Sequence, residues 1–595
     1  MSSFPVLLLV MKFNFRLLLA GVAAVAGSLF PPSATTEIKI GPDYPTGYFS
    51  SPLDIPLVLS GTFAELRPNH FHGGIDIKTD EAKNIPVYAV ADGYVSRVNI
   101  SSTGYGNALY IAHPNGYTSV YAHLDSFVPE IAQWIKNKQY EKQTWAIDER
   151  LPEGLITVRK GKMVARSGNS GSSESPHLHF EIRDSQTEVA INPLLFGFKI
   201  NDKVRPTLQG AYLYNMTDPD RYFLQRKYAL KNNGAGNYVI VEGKNTVNVL
   251  TVGSPQMGIG IKCYDQTSDA YNKNGVYSIA AYNNGSVFYN YNMEKVGFDE
   301  TRCINSHTDY KEQLDGNGFI EKCFVDPGNH LQIYSQLNNQ GIIDLSDGQM
   351  HKITVEVRDA IGNLSTLNFV LQYNTASTYT LPVSEPYAAY FQYNTPNIYT
   401  ADKFKIDMPA NALYNNLYFK FATNPPQSNR IYSAVFKVHD RDTPADTYFN
   451  IEIQPNNLPD TLRDKATIAY IRGNKQKSLV STWNGDYLKA RTREFGNYYI
   501  TTDLVAPKIM PINITPGRNM QNSKSLWLNT SDDLSGIKSY KGYIDDQWVL
   551  FSYEEKSGKL EYLFDEHAPP GKHHLRVEVS DQTNNIRTYE ADFIR

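Results

Sequence analysis

Residues 176–182 read Pro-His-Leu-His-Phe-Glu-Ile. Successive side chains of an extended strand point to opposite faces. On a strand, His177, His179 and Glu181 therefore share one side, while Leu178, Phe180 and Ile182 bury the other. Two imidazoles side by side on a half-buried strand repel if protonated and waste hydrogen bonds if orphaned. A cation that takes at least one of them removes the conflict.

Two other stretches supply groups of the same kind. Residues 70–77 read HFHGGIDI. In a helix His72 and Asp76 would share a face, but Gly73-Gly74 argues against a helix and Ile75-Asp76-Ile77 alternates as a strand does. Asp76 then points away from its isoleucine neighbours, and an inward-facing acid needs a partner such as a metal. Residues 120–124, VYAHL, set His123 and Tyr121 opposite Val120, Ala122 and Leu124. In all, 13 histidines occur, and His70, His72, His113, His123, His177 and His179 crowd into one short window. Two histidines and one aspartate satisfy a catalytic zinc, three protein ligands leaving a fourth position to water. Such a cation lowers the pKa of water toward about 7 and polarises a carbonyl.

The texture around these motifs is β. Short alternating runs such as 84–100 and 106–124, broken by Asp-Gly and Asn-Gly, predict antiparallel strands and hairpins over 36–200. One stretch departs: PEIAQWIKNKQYEK (129–142) places Ile131, Trp134 and Ile135 at helical spacing behind Pro129, predicting an inserted helix. From about 203 onward the sequence turns Tyr-, Asn- and Thr-rich. HKITVEVRDAIGNLSTLNFVL (351–371) echoes HHLRVEVSDQTNNIRTYEADFI (573–594), so β-sandwiches of Ig-like type are expected over 205–375 and 506–595. The stretch 376–505 reads as a further β-rich domain. The expected class is mainly β: a small antiparallel domain with one inserted helix, then sandwiches.

Composition agrees with four or so domains in 595 residues. A hydrophobic share of 41% rules out wholesale disorder, and 41 Tyr with 27 Phe suits β-sandwiches. Net charge is −4 with no basic run, which disfavours nucleic acid as a partner. Residues 1–35 read as a signal peptide and leader. Lys12 and Arg16 precede an uncharged Leu17–Ala26, with Ala24-Val25-Ala26 as a cleavage site. No later run is long and apolar enough to span a bilayer, so an exported protein without a stable transmembrane span is expected. Cys263, Cys303 and Cys323 are read as structural, with export permitting one disulfide.

Taken in order, H-x-x-x-D (72–76), Y-A-H-L (121–124), G-N-S-G (168–171) and H-L-H-F-E (177–181) resemble the lysostaphin/LytM-type zinc metallopeptidases, which cut peptide bonds in bacterial cell walls. The resemblance covers about 50–200. It implies His72, Asp76 and His179 as ligands of one Zn²⁺, and His123 and His177 as the catalytic pair. Glu181 is expected to orient an imidazole, with His70, His113 and Asn169 at the rim or behind the ligands. A closed structural zinc with His123 or His177 as fourth ligand, and His123 as a core histidine, are the plainer alternatives. Arg67 is available to a substrate carboxylate or to a surface ion pair. Two departures touch specificity: the helical insertion, and Ser172–Ser175 in place of a Ser-Thr-Gly run. The implied function is an exported endopeptidase acting on peptidoglycan stem peptides, with the C-terminal β-domains meeting wall or envelope proteins. A non-catalytic envelope scaffold or hydrolase activator, and a protease of secreted proteins, are the alternatives.

Overall fold

The computed structural model describes residues 44–595 apart from 83, 378–384 and 473–474. The expected leader at 1–35 lies outside the described residues. Pro45–Arg595 forms one compact unit, and it is mainly β, as the alternation predicts.

The sheet that carries the histidines is antiparallel throughout its main path. Its order is Leu59–Gly61, Ile75–Lys78, His177–Asp184, Tyr117–Ala122, Asn107–Ala112, Gly93–Ile100 and Ile147–Arg150. His177–Asp184 lies between the strands that carry the other motifs. His179 is in register with Asp76 on one side and with Ala122 on the other. The apolar face of this strand, Leu178, Phe180 and Ile182, is fully buried. Gly74 allows the neighbouring strand to close in, since a Cβ there would stand 2.3 Å from the Phe180 carbonyl oxygen. A three-stranded sheet, Pro86–Tyr88, Met163–Ser167 and Leu124–Phe127, packs beside it. The inserted helix spans Pro129–Lys142, as its spacing predicts, and buries Ile131 and Ile135.

Residues 207–373 hold one continuous 13-stranded sheet around a shared core. Parallel pairs that join 237–252 to Leu364–Tyr373 make it continuous. Phe63, Phe71 and Ala190 of the histidine-bearing domain enter the same core. Residues 389–502 build two five-stranded sheets over a common core containing Phe404, Ile451, Phe436 and Ile500. Residues 508–594 build a four- and a five-stranded sheet over Leu528, Tyr562, Val577 and Phe593. All three cysteines are free thiols, so the disulfide that export would permit is not formed. Cys263 instead donates to Glu321, and Cys303 faces His330.

The last domain folds back onto the first. Tyr140 of the inserted helix stacks on His567, ring centroids 4.2 Å apart and planes within 11°. Its hydroxyl donates to Asp565 Oδ2 at 3.0 Å, and Lys136 pairs with Asp565 and Glu566. Lys556 Nζ donates to the main-chain oxygens of Asn169 and Ser173, at 2.5 and 3.1 Å. A cleft remains between them, walled by Asn107, Asp125 and Asn169 on one side and Tyr553, Glu554 and Lys559 on the other.

Candidate metal centre

His72 Nε2, Asp76 Oδ1 and His179 Nδ1 converge. The imidazole nitrogens are 2.9 Å apart, and each lies within 3.0 Å of Asp76 Oδ1. The outer partners fix the tautomers. His72 Nδ1 faces the Thr62 carbonyl oxygen at 2.7 Å, which can only accept, so this nitrogen carries the proton and Nε2 presents a lone pair. His179 Nε2 donates to Glu181 Oε1 at 2.8 Å, which leaves Nδ1 as the second lone pair. Two lone pairs and a carboxylate oxygen aimed at one point repel unless a positive species joins them. This donor set, two imidazole nitrogens and one carboxylate oxygen, fits zinc.

The charges behind the site serve the same end. Glu181 is fully buried. Burial raises its pKa, but Arg183 and His179 outweigh that and bring it down to about 2. Arg183 Nε donates to its other oxygen at 2.6 Å, and the Tyr105 hydroxyl donates to Oε1 at 2.6 Å. Burial opposes a charge on His179, yet its bonds to Asp76 and Glu181 lift it to about 9. Burial likewise works against ionised Asp76, and the three imidazoles around it overcome this and hold it well below the usual carboxylate range. Asp76 Oδ2 accepts from Arg67 at 2.6 Å. Gly61 makes room for that pair, since a Cβ there would meet Oδ2 at 2.7 Å. Arg67 is thus committed to a candidate ligand.

His123 and His177 stand on the open side of the cluster. His123 is the single residue between Tyr117–Ala122 and Leu124–Phe127. It adopts a left-handed φ of 58°, a conformation rare outside glycine and frequent at functional positions. Its Nδ1 donates to the Ser170 carbonyl oxygen at 2.9 Å, leaving Nε2 unprotonated. Burial first, and then the neighbouring imidazoles, lower its pKa to about 3. The His177 ring lies 4.9 Å from it, centroid to centroid. His177 Nδ1 donates to Ser175 O at 2.8 Å, and its Nε2 is 3.3 Å from Asp76 Oδ1. The unusual Ser172–Ser175 run therefore sets the tautomer of His177.

The remaining expected residues divide. Asn169, with its amide turned to donate, reaches Ser173 and Ser175 and braces the loop that carries Ser170. His70 is exposed and bonded to Pro68 O, away from the ligand atoms. His113 was expected at the rim or behind the ligands. It is instead a buried core histidine, held by Asp92 O and Ser119 Oγ because its strand end packs under Phe49. Tyr105 and Arg183 were not singled out from sequence. Arg183 lies two residues past Glu181 on the same strand face, a signal that the alternation contained; Tyr105 sits in a loop with no periodic signature.

Among known families, residues 70–140 match the model of peptidase family M23, and residues 388–503 match that of the Zu5-like domain. The chain carries a peptidase family M23 domain. Its M23 region is 32% identical over 123 residues to an uncharacterized metalloprotease of Haemophilus influenzae, covering 21% of this chain and 20% of that protein. It is 32% identical over 112 residues to the DD-carboxypeptidase/endopeptidase Mpg of Neisseria meningitidis serogroup B, covering 19% and 20%. It is also 32% identical over 123 residues to the murein hydrolase activator NlpD of Escherichia coli, covering 21% and 25%. The chain thus spans between a fifth and a quarter of the length of these relatives. The relatives of this region are named as peptidases and as a murein hydrolase activator, and His72, Asp76 and His123 fall inside the residues that match the M23 model.

Proposed function

We propose that this chain is an exported, zinc-dependent endopeptidase that hydrolyses peptide crosslinks of peptidoglycan. The observation that carries the reading is the complete set in one place: His72 Nε2, Asp76 Oδ1 and His179 Nδ1 aimed at a common point, with His123 and His177 beside it. When bound, the metal supplies Lewis acidity toward water and a scissile carbonyl. His72 and His179 are held as neutral ligands by Thr62 and Glu181. His123 stays neutral at physiological pH and accepts a proton at Nε2, with Nδ1 anchored on Ser170. His177 Nε2 holds or returns a proton on the same side. A cleft lined by Asn169 and Ser170 and by Tyr553 and Glu554 of the last domain lies next to the loop whose Ser170 carbonyl holds His123.

The activator reading draws on the relationship to NlpD. It needs neither a metal nor His123. The two readings separate on purified sacculi incubated with the zinc-loaded chain, with released fragments identified by mass spectrometry. Crosslink-cleaved peptides that disappear on chelation and return with zinc are expected. No release by the chain alone, together with stimulation of a separate murein hydrolase, would overturn the endopeptidase reading in favour of an activator.

A further inference from the structure

A second group of carboxylates lies where the chain leaves the M23 domain and enters the 13-stranded sheet. Asp202 is on the connecting segment, Asp265 follows the strand Gln256–Tyr264, and Asp359 follows Met350–Arg358. One oxygen from each lies within 4.8 Å of the others. Asp265 and Asp359 are each only 4% exposed. Among the described residues, none of the three forms an ion pair with a lysine or arginine. Burial and mutual repulsion push Asp265 up to about 8 and Asp202 up to about 6.

Polar atoms without partners face the same place. Asp265 Oδ1 and Thr267 Oγ1 are buried and make no hydrogen bond. Thr267, 5% exposed, is not part of the acidic trio, yet it lines one cavity with Asp202, Asp265 and Asp359. Leaving such groups unpaired costs about 1–3 kcal/mol each, so this crowding calls for a ligand.

The arrangement recurs. Asp503, Asp532 and Asp581 form a matching trio in the last domain. Asp202-Lys203-Val204-Arg205-Pro206 and Asp503-Leu504-Val505-Ala506-Pro507 share the spacing D-x-V-x-P. In each, the first aspartate Oδ1 accepts from the valine N–H, at 2.9 and 3.2 Å. Asp359 and Asp581 each accept from an asparagine amide four residues on, at 2.6 and 2.7 Å. Asp265 and Asp532 each follow the strand that pairs with the domain's entry strand.

We propose that Asp202, Asp265, Asp359 and Thr267 form a Ca²⁺ site that stiffens the joint between the M23 domain and the sheet that follows it. All donors are oxygens, as a hard cation prefers. Ca²⁺–O lengths of about 2.3–2.6 Å allow ligand oxygens as far apart as these, whereas Mg²⁺ holds most of its waters and suits a site built from several side-chain oxygens poorly. The cavity is also lined by Thr62, whose carbonyl holds His72.

The test is isothermal titration of Ca²⁺ into the full chain with its zinc in place, with Mg²⁺ as the control titrant. Asp265→Asn is expected to bind one Ca²⁺ equivalent fewer than the wild type, and Thr267→Val to shift that equivalent to higher Ca²⁺. Should Asp265→Asn fail to fold, Asp202→Asn, on the half-exposed connecting segment, carries the same expectation. Identical isotherms for wild type and variants, or no Ca²⁺ uptake by the wild type at millimolar concentration, overturn the proposal.

Discussion

His72 Nε2 and His179 Nδ1 stand 2.9 Å apart with a lone pair on each, because Thr62 and Glu181 take the protons of the opposite ring nitrogens. Neutral acceptors keep that distance only around a positive centre. His179→Ala is therefore expected to lose the single zinc of the wild-type chain, measured by elemental analysis after dialysis. Full zinc occupancy in that variant would remove His179 from the ligand set.

His123 touches neither ligand-fixing partner, so its loss separates binding from turnover. In His123→Ala the zinc content should match the wild type while hydrolysis of sacculi falls about 10²–10⁴-fold, the usual worth of a positioned acid or base. Unchanged turnover would make His123 a core histidine.

Glu181 acts on the metal through His179. Glu181→Gln keeps the shape but weakens the acceptor that fixes the tautomer, and zinc should bind about 10–100-fold more weakly. Competition with a fluorescent zinc chelator reads this directly; an unaltered affinity would leave Glu181 as nothing more than a counter-ion for Arg183.

The contact between Tyr140 and His567 can be loosened away from the ligands. Stacked rings contribute about 0.5–1.5 kcal/mol beyond the area they bury. Tyr140→Ala should raise hydrogen exchange in 129–142 and in 169–175 together, with zinc retained. Faster exchange confined to the helix would show that the loop is held independently of the last domain.

Asp265 gives a pH signature. With its pKa near 8 in the folded chain and about 4 unfolded, the folded state holds the extra proton between those values. Stability from this group is therefore present below about pH 4 and is lost as pH rises through 8. In Ca²⁺-free buffer the Tm of the wild type should fall relative to Asp265→Asn between pH 5 and pH 8. A constant difference would mean that Asp265 is not protonated in the folded chain.

Much of the metal centre was legible because strand alternation is a strict rule. In PHLHFEI it puts His177, His179 and Glu181 on one face, and in IDI it turns Asp76 the same way. What alternation cannot reach is the partner supplied by a distant loop or a backbone carbonyl: Thr62 behind His72, Ser170 behind His123, Tyr105 on Glu181. Arg67 looked like a surface residue because nothing local indicates that its guanidinium reaches Asp76 on another strand. His113 was misplaced for the opposite reason: clustering in sequence suggested proximity, while its strand end belongs to a separate buried network. The echo between 351–371 and 573–594 contained Asp359 and Asp581, but their acidic companions lie on other strands and meet only in the folded chain.

Lys136 and Tyr140 reach residues more than four hundred positions further along. The inserted helix is thus the seat on which the end of the polypeptide rests. An M23 module cut out at residue 200 would keep its histidines yet lose one wall of its cleft, so its bond preference need not be that of the intact molecule. Exchange of such modules between relatives would have to carry the helix and its distant seat together.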